Sequence, residues 1–136
     1  MKLNKRGYML VEIILASAIA FGMAYFMLNM TIKLKNKNDD LLVETLVSTD
    51  QTIIMNSVMR SLKGTSCDGV YERLKIDERK VSIDNTVIDV ISDYATIDEV
   101  SCDYSDNIVT IKIPISVIQL ENKKFDIELN WIFDDN

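Results

Sequence analysis

Residues 8–28 read YMLVEIILASAIAFGMAYFML, an apolar run interrupted by a single charge, Glu12. Wound as a helix at about 1.5 Å per residue, it covers roughly 30 Å, the thickness of a bilayer's hydrocarbon core. A transmembrane helix is therefore expected, and Asn29, Met30, Thr31 and Ile32 carry it to residue 32. A secretory signal would instead have an apolar stretch of about 7–15 residues before a small-residue cleavage site. A carboxylate inside such a span costs about 2.5–3.5 kcal/mol even on the lenient insertion scale. Glu12 thus needs either water at the headgroups or a specific cation.

Working outward, the span is preceded by Lys5-Arg6-Gly7 and opens as Tyr8-Met9-Leu10-Val11-Glu12. This junction resembles that of type IV prepilins and pseudopilins, in which a short basic leader ends in Gly, Phe usually follows, and a Glu stands five positions into the mature chain. Gly7, Leu10, Val11 and Glu12 match; Tyr8 replaces Phe, Met9 replaces the common Thr, and the Pro that many members carry along the span is absent. The resemblance covers the first thirty or so residues. It implies that prepilin peptidase cuts after Gly7, that Tyr8 becomes a methylated N-terminus, and that Glu12 serves assembly. It further implies other pilin or pseudopilin subunits and a filament assembly platform as partners, with a single-pass membrane location and an extracytoplasmic C-terminal domain. Physically, a new α-amine on Tyr8, with an unperturbed pKa of about 7.7–8.0, is a cation complementary to Glu12. The pair can form at i, i+4 within one helix or between neighbouring subunits. Because Lys33, Lys35 and Lys37 follow the span, both flanks are basic and the positive-inside rule gives no orientation. The resemblance places the leader in the cytoplasm.

From residue 33 to 63 there is neither Gly nor Pro, and Gly64 supplies a stop, so the helix is expected to continue to it. At 100° per residue Val43, Val47, Ile54, Val58 and Leu62 form one stripe and Leu42, Leu46 and Ile53 an adjacent one, with Thr45, Thr49, Thr52 and Asn56 opposite. The apolar arc exceeds the roughly 100° that one core needs. Either the helix is deeply buried in its own domain, or one stripe packs on the chain's own sheet and the other on a neighbouring subunit.

Beyond residue 70 the period becomes two. Phe125, Ile127, Leu129, Trp131 and Phe133 alternate with polar residues, and Val109 to Val117 does the same. Residues 121–124 and 105–107 read as hairpin loops, and Asp84-Asn85 as a tight turn between runs at 80–83 and 86–91. Pro114 cannot donate to a ladder, which predicts an edge or bulged strand there. The expected fold is α+β: a long N-terminal helix, transmembrane in its first half, packed on a four- to five-stranded antiparallel sheet. Its segments are a leader (1–7), a transmembrane helix (8–32), an amphipathic continuation (33–64) and an acidic, β-rich head (65–136).

Charge is unevenly placed. Residues 1–7 hold three bases and no acid, residues 8–64 five of each, and residues 65–136 sixteen acids against seven bases, giving the net −6. Such a head repels phosphate backbones, which makes direct nucleic-acid binding unfavourable. The chain has no His, which removes Ser-His-Asp and Cys-His nucleophilic pairs and imidazole ligands together. No Gly-rich phosphate loop, CxxC pair or nucleophile elbow occurs, so no cofactor and no enzymatic activity are expected. Asp98, Glu99, Asp103 and Asp106 offer oxygen ligands for Ca²⁺ but lack a spaced loop pattern, and chance clustering in an acidic domain explains them better. With the head outside the cytoplasm, Cys67 and Cys102 are expected to form a disulfide; the alternative is two small buried thiols. The reading that follows is a minor pilin or pseudopilin of a pilus, secretion or competence (DNA-uptake) filament. A single-pass receptor or sensor with an acidic ligand-binding head is the alternative, and it leaves Gly7 and Glu12 unexplained. A membrane-anchored hydrolase using paired carboxylates is a distant third.

Overall fold

The computed structural model describes residues 5–120 and 123–134. Among the described residues, helix α1 (Lys5–Leu62) is followed by a short helix α2 (Cys67–Arg73) and eight strands. The strands are β1 (Leu74–Asp77), β2 (Lys80–Ile83), β3 (Thr86–Val90), β4 (Ala95–Ile97), β5 (Ser101–Ser105), β6 (Ile108–Ile113), β7 (Ile115–Val117) and β8 (Ile127–Ile132). The class is α+β. All pairing is antiparallel, in three sheets ordered β1-β2-β3, β4-β7 and β5-β6-β8, rather than in one sheet of four or five strands.

The chain forms two compact units, Met1–Asp39 and Asp40–Asn136. In the first, the side chains from Gly7 onward are exposed throughout, the apolar ones included. By length and composition this is a helix able to cross a membrane.

The second unit has one core. Val43, Val47, Ile54, Val58 and Leu62 of α1 are buried in it with Val81, Ile83, Val109, Ile111, Ile113, Ile127, Leu129 and Trp131 of the strands. Each fully buried aliphatic side chain contributes about 1.5–3 kcal/mol. Polar ties run alongside: Trp131 Nε1 donates to Thr65 O (2.9 Å), Gln51 Nε2 to Asp126 O (3.3 Å), and Lys123 pairs with Glu44. The helix stops where expected. Gly64 adopts φ +86°, and both Thr65 N–H and Thr65 Oγ1 donate to the freed carbonyl of Leu62.

One local expectation needs correction and another is met in part. Residues 70–73 are helical: Ser66 caps α2, its Oγ accepting from Gly69 N (3.4 Å), and the two-residue period starts at Leu74. The edge strand expected at Pro114 is found only beyond that residue, as β7 of a two-stranded sheet. The first part of the run, β6, lies between β5 and β8, and the chain leaves that sheet at Pro114 to pair with β4 as β7. Proline has no N–H for the ladder, but its carbonyl still accepts from Asp98 N (3.0 Å), and Ile115 N donates to Asp126 Oδ1 (3.3 Å). The run 109–117 and the strand near the C-terminus are neighbours as expected, through β6 and β8; of the loop proposed between them, Glu121 and Asn122 lie outside the described residues. The turns at Asp84-Asn85 and Asp106-Asn107 are present, all four residues in the left-handed region at φ 52–63°.

Candidate functional site

Gly7, Tyr8 and Glu12 lie in the opening turns of α1, and the four-residue spacing sets Tyr8 and Glu12 on one face. Glu12 is exposed, and among the described residues its carboxylate has neither an ion pair nor a hydrogen bond. Two hydroxyls of the helix's apolar half are satisfied within the helix: Ser17 Oγ donates to Ile14 O and Thr31 Oγ1 to Met27 O, both at 2.8 Å. Glu12 is thereby the one charge in the run, and what neutralises it in an apolar medium must come from outside these contacts. Around Gly7 a Cβ would meet nothing within 4 Å, so the backbone there is open to approach.

Cys67 and Cys102 are joined as a disulfide, with Cα atoms 5.7 Å apart, which rules out the buried-thiol alternative. It links α2 to β5 across 35 residues of sequence, where loop-closure entropy assigns roughly 3–4 kcal/mol. Alongside it, Tyr71 Oη accepts from Cys102 N (2.9 Å).

On α1, the two apolar stripes separate. The first is buried, while Leu42, Leu46 and Ile53 are 57%, 39% and 38% exposed. Thr45, Thr49 and Thr52 satisfy their hydroxyls on the carbonyls of Leu41, Thr45 and Ser48.

Asp98, Glu99, Asp103 and Asp106 do not gather into a ligand set: among the described residues no three metal-capable side chains come together. Asp98 is instead held by Ser116 Oγ (2.8 Å). A different carboxylate pair escaped the sequence reading. A bulge opposite Val81/Ser82 turns Asp89 of β3 toward the core, opposite buried Val81, within reach of the Asp50 charge on α1. Asp89 Oδ1 accepts from Val90 N and Asp50 Oδ2 from Ser92 N, but Asp89 Oδ2 and Ser92 Oγ are buried without partners among the described residues. Burial, then the nearby Asp50 charge, raises the Asp89 carboxyl above its ordinary pKa. At the surface the opposite holds for Asp84, whose bidentate hydrogen bonds from Arg73 (2.8 and 2.6 Å) lower its pKa.

Comparison of the chain with protein-family models, with curated proteins and with solved structures gives no match.

Proposed function

We propose that the chain is a subunit of a type IV filament, a minor pilin or pseudopilin whose work is assembly rather than catalysis. It inserts through the apolar half of α1, is cut after Gly7 by a prepilin peptidase, is methylated at Tyr8, and packs by that helix against other subunits while its acidic head stays outside the cytoplasm. The observation that carries this reading is Glu12: a lone carboxylate on an exposed apolar helix, four residues after Tyr8, with no partner among the described residues of its own chain. A plain anchor gains nothing from such a charge, whereas a subunit that meets a neighbour's Tyr8 α-amine does. The exposed stripe of Leu42, Leu46 and Ile53 supports it independently, since it offers apolar area to an adjacent subunit.

Intact mass, measured with and without a co-expressed prepilin peptidase, tests the reading. Loss of residues 1–7 only with the peptidase is expected. An unaltered N-terminus in a competent host would end it.

A further inference from the structure

The sheet β1-β2-β3 has two unlike faces. Its register places Lys75 opposite Ser82, Asp77 opposite Lys80, Ser82 opposite Val87 and Lys80 opposite Val90, so these residues share one face. Val87 and Val90 are each 54% exposed there. Residues three apart on one strand would ordinarily face opposite ways; the bulge that turns Asp89 inward also brings both valines outward. Leu74 and Ile76 alternate with Lys75 and Asp77 and therefore belong to the other, core-facing side, opposite buried Ile83 and Val81. With Ile97 and Val100 they line a groove of about 440 Å³. The groove's charged lining residues are Glu78, Asp98 and Glu99, all exposed, and no base lines it. The valine face carries Lys75 and Lys80 against the single acid Asp77.

We propose that the Val87–Val90 face of one copy seats in this groove on the next copy, with Lys75 and Lys80 meeting the groove's three acids. The occupant is a second copy because this chain itself carries the matching pair, two exposed valines with excess positive charge and, at the rim of the same sheet's core-facing side, a groove of mixed lining whose charges are all negative. The contact is heterologous: every copy offers both halves, so each docking leaves one free of each kind and the array continues unless its rotation closes a ring. This deepens the filament reading and rests on it for the side-by-side placement of copies.

The test uses the full chain in its own membrane, carrying the photocrosslinker benzoylphenylalanine in place of Val90. Irradiation should give a ladder of dimers, trimers and longer species in which position 90 is joined to peptides containing residues 74–78 or 97–100. Lys80→Glu should reduce the ladder severalfold and Lys80→Glu with Glu99→Lys should restore it; both positions are exposed and neither forms an ion pair among the described residues. Dimers only, adducts to lipid, to another protein or to other parts of this chain, or a double variant as weak as the single one would overturn the contact. Sheared surface filaments are scored in parallel. Ladders without filaments would keep the contact and remove the filament reading, and filaments crosslinked elsewhere would do the reverse.

Discussion

Two carboxylates in unlike settings carry opposite expectations. Removing Glu12 from an apolar span makes insertion easier by up to about 3 kcal/mol, so Glu12→Ala should reach the membrane at least as well as the native chain. In a filament it should leave a neighbour's α-amine buried without a counter-charge, at a cost of about 3–5 kcal/mol. The ratio of sheared to membrane-bound subunit should therefore collapse for Glu12→Ala and fall in between for Glu12→Asp, which keeps the charge but retracts it by one methylene. Asp89 concerns the head alone. Its pKa is raised on folding, so the folded state holds this proton more tightly than the unfolded chain does; the group's stabilising contribution is complete below the ordinary carboxylate range and is lost as pH rises through the folded pKa. Asp89→Asn keeps an acceptor for Val90 N and removes the repulsion with Asp50. Thermal unfolding should show a higher Tm for the variant at pH 7 and no gain at about pH 3; a lower Tm at pH 7 would refute the inward, repelled placement.

At the scale of elements, the end of α1 and the disulfide give two separate tests. Gly64 holds φ +86°, a region that costs an L-residue about 1–2 kcal/mol, and since a Cβ there meets nothing within 4 Å, the penalty of Gly64→Ala is purely conformational. Urea unfolding should show a loss of about 1 kcal/mol with an unchanged m-value. Alkylation of the native head without reductant should label neither Cys67 nor Cys102, and reduction should lower stability by about 2–4 kcal/mol; two freely labelled thiols would contradict the bond. Local rules made much of this readable beforehand. The buried stripe from Val43 to Leu62, the Gly64 stop and the turns at Asp84-Asn85 and Asp106-Asn107 follow from spacing and from which residues tolerate positive φ. The division at Pro114 was half legible: the missing N–H was evident, but the alternation of Ile113, Ile115 and Val117 persists through it and hides the change of sheet. Helix α2 was missed because its seven residues bury only Val70 and so leave no periodic signal. Asp89 was illegible, since only the bulge decides that it shares the face of buried Val81. At the proposed assembly site, residue types and spacing were open to view from the start, whereas the exposure of Leu42, Leu46 and Ile53 required the packed core to show which stripe it takes.

For the whole molecule, the decisive features are the separation of charge and the uncovered apolar surface. A head with sixteen acids and seven bases follows a helix whose apolar span carries one carboxylate, and among the described residues neither that span nor the helix's second apolar stripe is covered. On the filament reading, a membrane would cover the first before assembly and neighbouring subunits would cover both afterwards, and only the second condition would give Glu12 a partner. The most direct measurement is therefore the mass and location of the native protein in cells that carry the assembly machinery. Filaments sheared from the surface should contain the chain beginning at methylated Tyr8, with residues 1–7 gone. A chain found wholly in the membrane fraction, with residues 1–7 intact, would contradict the filament reading.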